Sequence, residues 1–83
     1  MPSATALYVQ AGAFTSPVNA ATVAAKLSST GARVFPGMKD GRPIYRVRIG
    51  PFQAVDKADA ALAQLLALGQ IDVQIVVDAV SSS

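Results

Sequence analysis

An 83-residue chain with neither histidine nor cysteine has little with which to run a reaction. The usual general base and the commonest metal ligands are missing, as are a thiolate nucleophile and any disulfide framework. Its acids are five aspartates, Asp40, Asp56, Asp59, Asp72 and Asp78, with no pair at a spacing that suggests shared acid–base work. The side chains better placed to do chemistry are Gln10, Arg46 and Arg48, and that chemistry is recognition. A guanidinium makes charge-assisted hydrogen bonds to a carboxylate, and a carboxamide both donates and accepts. The isolated domain therefore reads as a binding module: not an enzyme, and with no metal or cofactor.

Gln10 and Arg48 are related by position. Val9-Gln10-Ala11-Gly12-Ala13-Phe14 returns as Val47-Arg48-Ile49-Gly50-Pro51-Phe52, an offset of 38 residues (48 minus 10). The same offset pairs Ala20, Val23, Ala24, Leu27 and Gly31 with Ala58, Ala61, Leu62, Leu65 and Gly69. Each half reads as a strand ending in Gly-x-Phe, an amphipathic helix stopped by glycine, and a further β-branched run.

Apolar residues at i, i+3, i+4 and i+7 predict helices near residues 17–29 and 54–68. Ser16 and Pro17 suit an N-cap and first helical position, and Asp56 and Asp59 place negative charge near the start of the second helix. Gly12 and Gly50 are expected at the sharp turns from strand to helix, with Phe14 and Phe52 pinning the helix starts to a sheet. Period-two alternation sets Leu7 and Val9 against Tyr8 and Gln10. It likewise sets Tyr45, Val47 and Ile49 against Ile44, Arg46 and Arg48, and Val73, Ile75 and Val77 against Asp72, Gln74 and Val76. A weaker strand covers Ala32 to Met38, interrupted by Pro36 and Gly37, and Lys39-Asp40-Gly41-Arg42 is a hairpin turn.

The order is βαββαβ. The expected fold is α+β, ferredoxin/RNP-like: a four-stranded antiparallel sheet with two helices on one face and the first and third strands central. Tyr8, Gln10, Arg46 and Arg48 then share the middle of the uncovered face. Tyr8, Ile44, Phe35 and Val76 also face outward there, a mixture of apolar and polar groups that suits a ligand better than solvent alone. Two other readings use the same face. An RNA-recognition-like domain would stack bases on aromatics of the central strands, but the third strand offers Arg46 and Arg48 instead. A ferredoxin-like dimerisation module would pair two open faces.

Composition bounds the rest. Apolar residues make up 52% and charged residues 14%, enough for one folded core. A net charge of +2 is slight for a nucleic-acid binder, so no nucleic-acid partner is expected. No run is long enough to span a membrane. Residues 1–5 read as a linker remnant, 6–78 as the domain and 79–83 as a tail, and the domain is expected to be monomeric.

Tyr8-Val9-Gln10-Ala11-Gly12-Ala13-Phe14, Asn19-Ala20, Leu27, Tyr45-Arg46-Val47-Arg48-Ile49-Gly50-Pro51-Phe52 and the Ala-Leu-rich second helix resemble the SPOR (sporulation-related repeat) domain from about Leu7 to Asp78. The resemblance implies a periplasmic module of the bacterial cell envelope that binds peptidoglycan glycan strands lacking stem peptides. It also implies targeting of the host protein, a lytic transglycosylase, amidase or carboxypeptidase, to the division septum. The family's first-strand Gln falls on Gln10 and its third-strand binding positions on Ile44, Arg46 and Arg48. A polar residue that some members use after the Gln is replaced here by Ala13. Arg48, with Arg46 beside it, is expected to bind the ligand's carboxylate, Gln10 an acetamido or hydroxyl group, and Tyr8 and Phe35 to flank the groove against sugar faces.

Overall fold

The alternating runs become strands, the first and third longer than the alternation suggests and the last beginning at Gln74, so that Asp72 and Val73 precede it. In a computed structural model that describes residues 5–79, the chain runs β1 (Thr5–Phe14), α1 (Pro17–Lys26), a 3-10 turn (Ser28–Thr30), β2 (Arg33–Lys39), β3 (Arg42–Phe52), α2 (Val55–Ala67) and β4 (Gln74–Ala79). The strands form one antiparallel sheet in the order β2-β3-β1-β4, so the first and third strands are central as expected.

The two Gly-x-Phe elements correct the sequence reading. Gly12 and Gly50 lie within β1 and β3, not at strand–helix turns, and each coincides with a register shift between these strands. Both are β-bulges, with φ of +138° and +135°. A strict period of two would carry Phe14 and Phe52 to the face of Gln10 and Arg48. The extra residue in each bulge reverses the parity, and both rings pack against the core instead.

Helix boundaries follow local chemistry. Ser16 caps α1, its Oγ accepting from the Asn19 backbone N–H at 3.3 Å, and Pro17 follows as the first helical residue. This helix ends three residues earlier than expected, because the chain tightens after Leu27 into the 3-10 turn, where the Thr30 hydroxyl donates to the Leu27 carbonyl. The second helix closes in a Schellman arrangement, with Gln70 N–H donating to the Leu65 carbonyl at 3.0 Å and Gly69 N–H to that of Leu66 at 3.1 Å. Between β2 and β3, Asp40 and Gly41 both have positive φ (52° and 76°), as a two-residue turn matching the sheet twist requires. Pro36 and Gly37 do not interrupt β2, because β2 is an edge strand, where a missing ladder donor is tolerated.

Both helices pack on one face and bury Val9, Ala11, Ala20, Leu27, Val47, Ile49, Ala58, Ala61 and Leu65. The offset of 38 reappears here as paired core positions: Val9 with Val47, Ala11 with Ile49, Ala20 with Ala58 and Leu27 with Leu65. Each large aliphatic side chain so buried contributes about 1.5–3 kcal/mol, and the paired alanines let the helices approach the sheet closely. Of the linker and tail expected at 1–5 and 79–83, residues 1–4 and 80–83 lie outside the described residues. Thr5 and Ala79 are partners at the ends of β1 and β4.

Candidate functional site

Opposite the helices, strand register decides which side chains meet. Gln10 of β1 lies across from Arg48 of β3, and Arg48 from Arg33 of β2. Arg46 lies across from both Ala13 and Phe35, Ile44 from Gly37, and Lys39 from Arg42. On the other flank, Tyr8 faces Val76 and Ala6 faces Asp78. Five of the chain's seven Lys and Arg thus share this face: Arg33, Lys39, Arg42, Arg46 and Arg48. Among the described residues no helix covers it.

Arg48 is the hub. Its Nε donates to Gln10 Oε1 at 2.9 Å and its Nη1 to Asp78 Oδ2 at 2.9 Å. Only 12% of the Arg48 side chain is exposed, against 53% for Asp78. The guanidinium lies 5.6 Å from the centre of the Tyr8 ring. Phe35 meets Tyr8 edge-on at 5.6 Å and carries the Arg33 guanidinium 5.4 Å from its own ring centre. A pair of touching rings, Phe35 and Tyr8, is thus flanked by a guanidinium at each end, Arg33 and Arg48.

Arg46 differs from Arg48. It is half-buried, and no carboxylate pairs with it among the described residues. Room for it comes from Gly37 on the edge strand, where an added Cβ would stand 2.7 Å from Arg46 Nη1. Together Tyr8, Phe35, Pro36, Gly37, Arg46, Arg48, Asp78 and Ala79 line an open groove of about 300 Å³.

The structure sorts the expected residues. Tyr8, Phe35, Arg46 and Arg48 all line the groove. Tyr8, however, is only 3% exposed. Phe35, Arg48 and the Gly50 bulge close over it, so it forms the floor and presents no free ring face for a sugar. Gln10 is 9% exposed and sits beneath Arg48, orienting it, outside the groove lining. Ile44 is buried on the same face, toward the hairpin, beside a separate depression with Thr15, Lys39, Arg42 and Pro43. Ala13 is exposed across from Arg46 and offers no hydroxyl.

Asp78, Pro36, Gly37 and Ala79 are groove residues that sequence reasoning missed. The signal for Asp78 was present: it continues the parity of Gln74 and Val76 along β4.

The Asp78 carboxyl is held below its usual range, first by the hydrogen bond from Arg48 and then by the Ala79 N–H, which donates to Oδ1 at 2.8 Å. A folded pKa below the unfolded one adds stability that is present above the unfolded value and is lost as pH falls through the folded one. A difference in Tm between the unmodified chain and Asp78→Asn is thus expected at pH 7, closing as pH drops through the carboxylate range. A gap unchanged by acid would show that the ion pair contributes nothing.

Known proteins share this architecture. The SPOR domain family model matches residues 3–76. Among solved structures, the chain is similar to the RlpA SPOR domain from Pseudomonas aeruginosa, with 30% identity, 84% of this chain and 96% of that one covered, and a TM-score of 0.70. It is also similar to the peptidoglycan binding domain of the B. subtilis cell wall lytic enzyme CwlC, with 32% identity, 95% and 98% covered, and a TM-score of 0.69. No curated protein sequence gives a significant match. With the family model spanning nearly its full length and two such structures superposing on its βαββαβ sheet, the chain belongs to the SPOR domain family.

Proposed function

We propose that the chain is a non-catalytic peptidoglycan-binding module of the cell envelope. Its open sheet face takes glycan strands stripped of their stem peptides and so brings its host protein to the division septum. The observation that carries the reading is a groove on the uncovered face that holds Arg46, without a carboxylate partner among the described residues, beside a preset guanidinium, Arg48. Family membership and the likeness to the peptidoglycan binding domain of CwlC point the same way.

Removing a stem peptide frees a lactyl carboxylate on each N-acetylmuramic acid and leaves acetamido groups between the charges. Such a strand is a regularly spaced polyanion, and it meets a face that carries five cations. Arg46 donates charge-assisted hydrogen bonds to a lactyl carboxylate, and Arg48, braced by Gln10, supplies a second cationic contact. Phe35, half-buried at the groove edge, offers apolar surface to a sugar ring. An intact stem peptide removes the charge by amide formation and adds bulk against the sheet, so peptide-bearing strands are excluded. The RNA-type reading has no such support, because Tyr8 is buried and Arg46 and Arg48 occupy the stacking positions of β3.

Pull-down on purified sacculi before and after amidase digestion tests the proposal. Retention that rises on digestion supports it, and equal retention on both contradicts the requirement for stripped strands. Gly37→Ala tests the geometry of the groove. The new methyl displaces the Arg46 guanidinium, the mobile end of a long side chain, so affinity for stripped glycan should fall about threefold to tenfold while Tm holds. Unchanged affinity would place Arg46 outside the contact.

A further inference from the structure

Arg48 already holds a carboxylate of its own chain, that of Asp78. We propose that Asp78 is a built-in competitor for the ligand's carboxylate: it occupies Arg48 in the free domain and is displaced when stripped glycan binds. This inference rests on the functional reading above and adds the residue that sets its affinity threshold.

A guanidinium as enclosed as that of Arg48 is destabilising without a counter-charge, so it needs one. Asp78 supplies it at 2.9 Å from the final strand of the sheet, with more than half of its side chain in solvent. Swinging it away breaks two hydrogen bonds, one from Arg48 and one from the Ala79 N–H, and buries nothing. The charged groups facing it are Arg48 and, further off, Arg46. An incoming carboxylate can thus anchor first on Arg46, which has no carboxylate partner among the described residues, and then exchange with Asp78 at Arg48.

Exchange makes selectivity a matter of valence. A lone small carboxylate must evict Asp78 with a single charge, one ion pair for another. A strand with several carboxylates is held at Arg46 while the exchange occurs, so the exchange at Arg48 becomes intramolecular. The domain then ignores free carboxylates and responds to the polymer.

Affinity for amidase-derived glycan strands, measured by titration calorimetry on the unmodified chain, Asp78→Asn, Asp78→Glu and Asp59→Asn, tests this. Asp78→Asn should bind roughly threefold to tenfold more tightly. Asp78→Glu, with its carboxylate restored, should return toward the unmodified value. Asp59→Asn makes the same change in net charge on α2, behind the sheet, and should leave affinity unaltered. In the unmodified chain the Ala79 amide resonance should also shift at saturation, as it loses its Oδ1 acceptor. Equal or weaker binding by Asp78→Asn, or a gain matched by Asp59→Asn, overturns the competitor role while leaving glycan binding intact. Absence of binding by every protein overturns the functional reading and this inference together.

Discussion

Replacing Arg46 by alanine should weaken binding to stripped glycan about tenfold to a hundredfold, since a hydrogen bond to an ionised partner is worth about 1.5–3 kcal/mol net. Arg46 is the sharper probe of the two central arginines because it has no structural duty: among the described residues it has no carboxylate partner. Arg48→Ala would also weaken binding, but it strips the partner from the Gln10 carbonyl, which is nearly buried, and frees Asp78, so loss of contact and loss of order would be mixed. With Arg46→Ala, Tm should hold while affinity drops, and the binding that remains should depend less steeply on salt. An affinity within twofold of the unmodified chain would remove Arg46 from the mechanism.

The largest loss of stability from a small change is expected at Gly50→Ala. This residue has φ of +135°, a region open to glycine and costly for alanine. An added Cβ would also stand 2.9 Å from Tyr8 Cδ1 and 3.0 Å from the Leu7 carbonyl oxygen. The ring could shift, but the carbonyl belongs to β1 next to β3 and cannot move without disturbing the pairing of Leu7 with Phe52. Backbone strain and crowding together should cost about 2–4 kcal/mol, lowering Tm by roughly 10 °C or more in a domain of this size. At the equivalent Gly12 the new methyl would meet the Phe14 side chain, at 3.1 Å, and no backbone atom within 4 Å, so a smaller loss is expected. Equal thermal stability of Gly50→Ala and the unmodified chain would mean that the β3 bulge is not required.

The repeat explains why much of the fold was legible and part of the site was not. Core pairs at the 38-residue offset keep their type: Val9 with Val47, Ala20 with Ala58, Leu27 with Leu65. A helix or strand that must fill the same space in both halves leaves the same trace in the sequence. On the open face the corresponding pairs diverge, Tyr8 against Arg46 and Gln10 against Arg48, because no shared packing constrains them. Alternation along two central strands is what puts Gln10, Arg46 and Arg48 on the uncovered face, and their register agrees with it.

Other features depend on distances that alternation does not carry. The bulges at Gly12 and Gly50 change parity without changing composition, so the glycines were read as ordinary turns. Burial of Tyr8 follows from Phe35 on a strand once removed and from the backbone closing in at Gly50, neither of which is local to Tyr8 in sequence. Asp78 lies 30 residues from Arg48, and only the order β2-β3-β1-β4 brings the two across an intervening strand. Pro36 and Gly37 read as a break in β2, yet Gly37 is there as space for a guanidinium.

The central claim is that glycan meets this domain on the sheet face that carries Arg46 and Arg48. Backbone amide shifts recorded while stripped glycan oligosaccharides are titrated into the isotopically labelled domain test it most directly. The account predicts that the changes concentrate at Phe35, Gly37, Arg46, Arg48 and Ala79 and spare α1 and α2. Changes centred on the helices, with the groove residues unmoved, would contradict it.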